Sequence, residues 1–262
     1  MMTIKSLHIY PIKGMGAVDV TESKVLKEGF EYDRRWMLIN TKGEFISQRN
    51  FPELARFGCQ LETRGLQVSY NNKDIQIPYE LSSDARTKVD IWNVAADAWV
   101  VSPELNRWFS EQLNQKVTLV KMTQASNRIK KFLKPPFSSS VSFADGYPYL
   151  MLGEESMRYL NEKLENEILI DRFRANIIVK TKEPHEEDNW GKIKIGDSIL
   201  KVIKPCARCV VTTIDQQTSQ KGKEPLKTLA SYRKKGNKIY FGANAIAIEE
   251  GFIKKGDSIL NI

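Results

Sequence analysis

Short stretches of alternating hydrophobic and polar residues run through the first half of the chain. Residues 4 to 10, 35 to 39 and 66 to 69 follow this pattern, with turn-forming residues at 41 to 44 and 71 to 74 between them. An alternation of period two is typical of strands that bury one face. The pattern therefore predicts a first part made mostly of strands, arranged as a meander.

Two segments instead repeat hydrophobic residues at helical spacing. The first follows Ser102, which suits a helix cap, has Pro103 in its first turn and reaches Leu113. The second runs from Glu154 to about Leu164. We interpret the aromatic residues of the first helix as core packing.

The second half of the chain is expected to consist of strands from the second helix to the end. Residues 123 to 142, with two prolines and several serines, predict a linker or flexible loop. The sequence Gly-Asp-Ser-Ile-Leu occurs at 196 to 200 and again at 256 to 260, and each copy predicts a tight turn that enters a strand. A strand of this kind at the C-terminus would help to close a barrel. The fold class is therefore mainly β with a few helices (α+β), divided into residues 1 to 122 and 123 to 262.

Composition restricts the class of protein and the cellular compartment that we expect. The chain has 262 residues, of which 41% are hydrophobic, so it can form sizeable cores. It has no apolar run near the ~20 residues of a membrane helix and no signal-peptide core, so we expect a soluble, cytoplasmic protein without a membrane partner. The three cysteines, Cys59, Cys206 and Cys209, are too few for a disulfide framework and are expected to be free or metal-bound.

The formal net charge of +8 raises the question of a nucleic-acid partner. The lysines are spread along the chain, and the one dense basic run, at 127 to 136, lies in a predicted loop outside any nucleic-acid module that we recognise. A solvated basic surface and a pocket for a phosphorylated small molecule are the alternatives. We expect no nucleic-acid partner and rank a nucleic-acid-binding protein with a structural thiol pair as the last hypothesis.

Cys206 and Cys209 form a Cys-x-x-Cys pair in a basic setting. Lys204 and Arg208 favour the thiolate, which is the form that attacks electrophiles or binds a soft metal. The apolar stretches 199 to 203 and 210 to 214 predict that both cysteines lie in a tight connection between two strands.

The chemistry of this thiol pair can be narrowed by counting possible partners. Structural zinc and iron–sulfur clusters need about four ligands, and the two histidines are isolated from each other in sequence. A thioredoxin-like dithiol would open a helix, whereas β-branched residues follow Cys209. What remains is a single thiolate that acts either as a nucleophile or as the one protein ligand of a metal carried by a cofactor.

Several separated motifs resemble one known family. Residues 206 to 215, 223 to 229 and 231 to 233 are similar to the C-terminal half of the MOSC (molybdenum cofactor sulfurase C-terminal) domain family, and residues 171 to 177 are similar to its Arg-x-Asn strand. Residues 10 to 14 and 32 to 36 resemble its N-terminal β-barrel domain. The motifs occur in the order of the family, and their pattern is most similar to the amidoxime-reducing components and their bacterial counterparts.

The resemblance implies an N-terminal β-barrel-like domain followed by a MOSC β-barrel, with a pterin-dithiolene molybdenum cofactor between them. On this pattern Cys209 is the metal ligand and catalytic position, and Cys206 is a neighbour that tolerates replacement. The residues that the resemblance implies for cofactor binding are Lys13, Gly14, Arg34, Asp145, Gly146, Arg174, Asn176, Arg208 and Asn244.

The function implied by the resemblance is an oxidoreductase that reduces small N-hydroxylated or N-oxide substrates with electrons from a separate protein. No iron–sulfur cluster in this chain and no pyridoxal phosphate are expected. The alternative is a non-catalytic carrier of molybdenum cofactor or sulfur, with a persulfide on Cys209 or Cys206. We expect residues 123 to 142 and 216 to 222 to form the rim that sets substrate specificity.

Overall fold

The computed structural model describes residues 1 to 81, 84 to 123, 126, 128 to 131 and 138 to 262. Its α-helices in these ranges are α1 Pro103–Leu113, α2 Glu154–Asn161 and α3 Leu226–Arg233. Its strands are β1 Met2–Ile9, β2 Val18–Val20, β3 Glu22–Leu26, β4 Gly29–Phe30, β5 Trp36–Ile39, β6 Gly58–Glu62, β7 Gly65–Tyr70, β8 Lys73–Pro78, β9 Arg86–Asp90, β10 Ala95–Val100, β11 Thr118–Lys121, β12 Ile129–Lys131, β13 Ser138–Ser140, β14 Tyr149–Gly153, β15 Ile177–Lys180, β16 Lys192–Ile195, β17 Ser198–Ala207, β18 Lys234–Lys235, β19 Lys238–Glu249, β20 Gly251–Lys254 and β21 Ser258–Asn261.

Seven strands form a closed barrel in the order β14, β15, β1, β21, β16, β17 and β19, and β19 pairs back to β14. Leu7, Met151, Ile177, Ala245 and Ile259 are among the buried side chains of its core. Closure leaves these strands without a free edge, which removes the exposed backbone of an open sheet. The predicted mainly β fold with a barrel is confirmed.

The first strand of the chain belongs to this barrel, although the six other barrel strands all come from the second half. In β1, Leu7 pairs with Ile177 of β15, and Met2 pairs with Ile259 of β21. The first part is therefore tied into the barrel of the second. The division at residues 122 and 123 stays a prediction.

In the remainder of the first part, β2 pairs with β1, and β3 and β4 form a small sheet with β20. The other strands form a four-stranded sheet, β5-β11-β10-β9, and a three-stranded meander, β6-β7-β8. Trp36, Leu66 and Phe109 are fully buried in one core that joins these sheets to α1. Helix α1 is confirmed at the predicted position, because the Ser102 hydroxyl accepts the Leu105 N–H at 3.1 Å and caps it. Helix α2 begins as predicted and ends earlier, at Asn161.

Both Gly-Asp-Ser-Ile-Leu copies enter strands from turns, as predicted. Gly196 and Gly256 have φ of 51° and 92°, and β17 and β21 begin two residues later. A side chain at Gly196 would be 2.6 Å from the Phe252 carbonyl oxygen, so this turn has no room for one. The two strands flank β16 on either side.

Two expectations about the second half are wrong. Residues 210 to 213 form a 3₁₀ turn, Val210–Thr213, and Cys206 lies within β17 rather than in a connection. The hydroxyls of Thr212 and Thr213 donate to the carbonyls of Cys209 and Val210 at 3.0 and 2.8 Å. Such local bonds let the backbone turn where a β-branched run predicts a strand.

The second error is that strands do not continue unbroken to the C-terminus, because α3 follows the 3₁₀ turn. Glu224 accepts the N–H of Thr228 at 3.0 Å and so satisfies a backbone donor near the start of that helix.

The predicted linker at 123 to 142 is described only in part. Its residues 129 to 131 and 138 to 140 pair as the hairpin β12-β13, and residues 124, 125, 127 and 132 to 137 lie outside the described ranges. Arg128 is buried, and its Nη1 donates to the carbonyls of Ser142 and Ala144 at 2.5 and 2.7 Å. Within the described ranges of the chain, none of the helices is long and apolar enough to cross a membrane.

Candidate functional site

A cleft of about 370 Å³ lies at one end of the barrel, beside the first part of the chain. All ten residues predicted from the sequence line it: Lys13, Gly14, Arg34, Asp145, Gly146, Arg174, Asn176, Arg208, Cys209 and Asn244. They come from turns and strands that are far apart in sequence. The structure therefore brings the whole predicted set together, while the role of each residue stays a prediction.

Cys209 is the exposed cysteine of this chain, whereas Cys59 and Cys206 are half-buried. It lies at the start of the 3₁₀ turn and faces the cleft, and its Sγ accepts a hydrogen bond from Arg49 Nη2 at 3.3 Å. Cys206 Sγ accepts from Arg208 Nη1 at 3.2 Å. Each thiol in the cleft thus has its own guanidinium donor, and Cys209 is the more accessible one.

The sequence analysis missed Arg49, which links the two parts of the chain at the thiol. Its Nη2 also lies 3.4 Å from Asp145 Oδ2, and its Cζ lies 4.8 Å from the ring centroid of Trp92. Burial acts to lower the pKa of Arg49, but Cys209 and Asp145 together raise it, so the guanidinium stays charged. A single arginine in a polar loop gives no sequence signal for this role.

Lys13 and Asp145 form an ion pair in the cleft wall. Lys13 is buried, and its Nζ also donates to the carbonyl of Phe143 at 2.8 Å. Burial lowers the pKa of Lys13 to about 8 against the opposing effect of Asp145. Burial alone would raise the pKa of Asp145, but the Lys13 ammonium holds it far below the usual range. Asp145 is therefore a permanent carboxylate that helps to keep both neighbouring cations charged.

Two arginines pack against the ring of one tyrosine. The Cζ atoms of Arg34 and Arg174 each lie 4.3 Å from the ring centroid of Tyr10. Asp33 pairs with Arg34, whereas the side chain of Arg174 has a long hydrogen bond to Gln216 at 3.5 Å. Burial lowers the pKa of Arg174 to about 10, so it is still charged at neutral pH. Arginines held this way present forked donors that suit phosphate.

The side-chain amide of Asn176 is already hydrogen-bonded within the protein. Its Oδ1 accepts from Arg34 Nη1 at 3.1 Å and from the Leu150 N–H at 3.3 Å, and its Nδ2 donates to the His8 carbonyl at 3.1 Å. Asn176 therefore ties Arg34 to the barrel strands. The predicted contact of this amide with a pterin edge stays a prediction.

The four remaining predicted residues contribute hydrogen bonds, open space or wall surface to the cleft. Arg208 Nη2 donates to the Phe173 carbonyl at 2.7 Å, and its buried Nε has no hydrogen-bond partner among the residues that the structure describes. The carbonyl of Gly14 accepts from Gln48 Nε2 at 2.7 Å, and its φ of 89° favours glycine. Gly146 leaves open space where a side chain would be. Asn244 lies on β19 at the cleft wall.

The lining of the cleft is strongly cationic. Its seven basic residues face one carboxylate, that of Asp145, and they are Lys13, Arg34, Arg49, Arg172, Arg174, Lys204 and Arg208. Within the described ranges, no three His, Cys, Asp or Glu side chains come together as a metal site. The donor set therefore fits an anionic organic ligand with the exposed Cys209 thiol beside it.

Comparison with known proteins identifies the family to which this chain belongs. The MOSC N-terminal beta barrel domain matches residues 1–116, and the MOSC domain matches residues 138–260. Human mitochondrial amidoxime-reducing component 1 is 30% identical over 98% of this chain and 82% of its own length. The molybdenum cofactor sulfurase of Oryza sativa subsp. japonica is 31% identical over 91% of this chain, and the match spans 32% of its own length.

Among solved structures, the YUAD protein from Bacillus subtilis is 11% identical, covers 99% of this chain and 94% of its own, and has a TM-score of 0.44. The chain spans about a third of the length of the sulfurase and most of the length of the human protein. With both domains matched in order and a relative of this identity and coverage, the chain belongs to the MOSC domain family.

Proposed function

We propose that the cleft binds a pterin-dithiolene molybdenum cofactor and that the protein reduces N-hydroxylated or N-oxide compounds. The observation that carries this proposal is the exposed Cys209 thiol at a cleft lined by seven basic residues. When bound, the cofactor supplies a metal that exchanges electrons and accepts oxygen from the substrate. The proposal is supported by the human relative, which is named as an amidoxime-reducing component.

Cys209 supplies the protein's metal ligand in this proposal, because a soft thiolate suits a dithiolene-bound metal. Arg34, Arg174 and Arg208 bind the phosphate and the anionic edge of the pterin through forked N–H donors. Gly14 and Gly146 allow the ligand to approach the backbone closely, since neither places a side chain in the cleft. Asn176 and Asn244 line the wall against which the pterin lies.

Lys13 and Asp145 act as a charged pair in this site. Lys13 Nζ holds a proton at neutral pH and gives the cleft a fixed positive charge beside Asp145. Asp145 in turn holds Arg49 next to the thiol. Both side chains therefore orient the groups around Cys209 rather than taking up protons themselves.

Electrons must reach the cleft from a separate protein in this proposal. Exposed Lys221 donates to the backbone carbonyl of Arg49 at 3.2 Å and adds positive charge to the loop that carries Arg49. Val210, next to Cys209, leaves 47% of its surface exposed. A basic surface with an apolar centre suits an acidic electron carrier, because charge complementarity speeds the encounter.

The test compares wild-type protein with Cys209→Ser and the matched control Cys206→Ser. We expect molybdenum in the wild type and in Cys206→Ser, together with reduction of benzamidoxime by reduced methyl viologen. Cys209→Ser should lose both the metal and the activity.

Equal molybdenum and equal activity in Cys209→Ser and wild type would overturn the proposal. A wild type that releases its cofactor to an apo-enzyme and never turns over a hydroxylated substrate would favour the carrier alternative instead.

A further inference from the structure

Strands β9 and β10 are joined by a two-residue turn whose backbone is unusual for its residues. Trp92 and Asn93 have φ of 57° and 62°, and Ile91 and Val94 exchange backbone hydrogen bonds of 3.0 and 3.3 Å across the turn. A turn with both central residues left-handed favours Asn and Gly, and a bulky aromatic residue is rare there. Trp92 also leaves 47% of its surface exposed.

The contacts of Trp92 all lead to the cleft. Its ring lies under the Arg49 guanidinium, with the Cζ atom 4.8 Å from the ring centroid. The ring of Phe45 packs edge to face against it, with centroids 5.4 Å apart, and Lys13 Nζ lies 4.8 Å from that same Phe45 ring. Trp92 and Phe45 thus form an aromatic surface directly outside the cationic residues.

Arg49 connects this aromatic surface to the reacting end of the cleft. The same guanidinium that lies over Trp92 donates to Cys209 Sγ at 3.3 Å. A flat ligand that packs against the exposed indole therefore has its far end next to Arg49 and the thiol. Strained backbone that presents a side chain at a site edge is a recognised sign of function.

We infer that Trp92 is the specificity-determining wall of the substrate site and that it selects N-hydroxylated substrates that carry an aromatic ring. The inference rests on the proposed function and adds the substrate class to it. Arg49 aligns the hydroxylated end toward Cys209, and the aromatic ring stacks on the indole. Substrate choice is then governed by the β9-β10 hairpin, in addition to the rim expected at residues 123 to 142 and 216 to 222.

The test uses two substrates with the same reacting group, benzamidoxime and acetamidoxime, and measures kcat/KM for each with reduced methyl viologen. Trp92→Leu should lower the benzamidoxime to acetamidoxime ratio by about three- to tenfold, mostly through KM, because ring stacking contributes a free energy of this size. Trp92→Phe should keep most of the ratio. Arg86→Ala, which breaks a guanidinium contact with the Trp99 ring at 5.2 Å at the other end of the hairpin, is the matched control and should leave the ratio unchanged.

A binding measurement makes the test independent of turnover. In full-length protein labelled with 5-fluorotryptophan, the fluorine resonance that Trp92→Phe removes should shift with benzamidoxime and stay in place with acetamidoxime. This readout decides the inference even where the wild type holds no molybdenum, which would defeat the proposed function alone.

Two results would overturn the inference. One is an unchanged ratio of kcat/KM for benzamidoxime to acetamidoxime in Trp92→Leu, together with a Trp92 fluorine resonance that does not shift when benzamidoxime is added. The other is a fall in kcat/KM of Trp92→Leu that is equal for both substrates and appears only when an acidic protein is the electron donor. Trp92 would then contact the electron donor and not the substrate.

Discussion

Arg49 Nη2 lies 3.3 Å from Cys209 Sγ, although 160 positions separate the two residues in the chain. Arg49 comes from the part that matches the N-terminal beta barrel domain, and Cys209 from the part that matches the MOSC domain. The first part therefore contributes directly to the surroundings of the thiol. The barrel alone would present Cys209 without this donor.

This contact predicts a large effect of Arg49→Gln on activity. A hydrogen bond from a charged donor contributes about 1.5–3 kcal/mol, so kcat/KM should fall roughly ten- to hundredfold in protein that still holds molybdenum. Arg49→Lys should recover part of the loss, because lysine keeps the positive charge but ends in a single ammonium group on a side chain of different length and shape from the planar guanidinium.

The matched control for this variant is Arg56→Gln. Arg56 also lies over an aromatic ring, that of Tyr70 at 5.4 Å, but it does not line the cleft. Its kcat/KM should equal that of the wild type. A metal-loaded Arg49→Gln enzyme with wild-type kcat/KM would show that the contact has no part in the reaction.

The buried carboxylate of Asp33 predicts a stability effect. It accepts from Arg34 Nη1 at 2.6 and 2.7 Å and from the Tyr10 N–H at 2.8 Å, and it is fully buried. In Asp33→Asn, two guanidinium groups would face the Tyr10 ring without this carboxylate. Since removing one partner of a buried ion pair costs about 3–5 kcal/mol, urea denaturation should show a loss of free energy of unfolding near this range.

The control for Asp33 is Asp19→Asn, which changes an exposed carboxylate beside a histidine. The Asp19 side chain is 83% exposed and lies 2.6 Å from His8 Nδ1. Exposed pairs contribute about 0–1 kcal/mol, so this variant should unfold almost as the wild type does. Equal unfolding of Asp33→Asn and Asp19→Asn would contradict the role given to the buried pair.

Much of the architecture could be predicted from the sequence, because it depends on local signals. Ser102 and Pro103 mark the start of α1, the alternation at residues 4 to 10 marks β1, and the repeated Gly-Asp turns mark β17 and β21. The ten cleft residues came from the resemblance to a family, since no spacing rule brings Lys13 and Cys209 together.

The features that could not be predicted from the sequence depend on contacts between residues far apart in the chain, or on local hydrogen bonds that compete with strand formation. Hydroxyl bonds from Thr212 and Thr213 turn a β-branched run into a 3₁₀ turn. The contacts of Arg49 and Trp92 exist only after the loops that hold them are folded against the barrel. The membership of β1 in the barrel is likewise a matter of long-range pairing.

The cap of α1 predicts a change in stability without a change in function. Ser102→Ala removes the acceptor for the Leu105 N–H and should lower the free energy of unfolding by about 1 kcal/mol. Ser102→Asp keeps an acceptor and should stay near the wild type in urea denaturation. Because Ser102 does not line the cleft, both variants should hold as much molybdenum as the wild type. A lower metal content in either would show that α1 supports the site.

His185 predicts a loss of stability in mild acid. It lies beside Tyr159, Tyr232 and Phe241, and its two ring nitrogens are buried without a hydrogen-bond partner in the described part of the chain. Burial, followed by the charge of Arg233, lowers its pKa to about 4. In the unfolded chain a histidine has a pKa of about 6.5. Between these two values the unfolded state binds more protons than the folded state, so the folded state loses stability as the pH falls from about 6.5 to 4.

His185→Asn should remove this contribution while tolerating the left-handed backbone, which has a φ of 64° at this position. Thermal unfolding midpoints measured from pH 7 to pH 4 should therefore fall less steeply in the variant than in the wild type. Glu187, whose pKa burial raises, has the opposite dependence and is present in both proteins, so it cancels in the comparison. Parallel curves for the two proteins would mean that His185 is protonated in the folded state as readily as in the unfolded one.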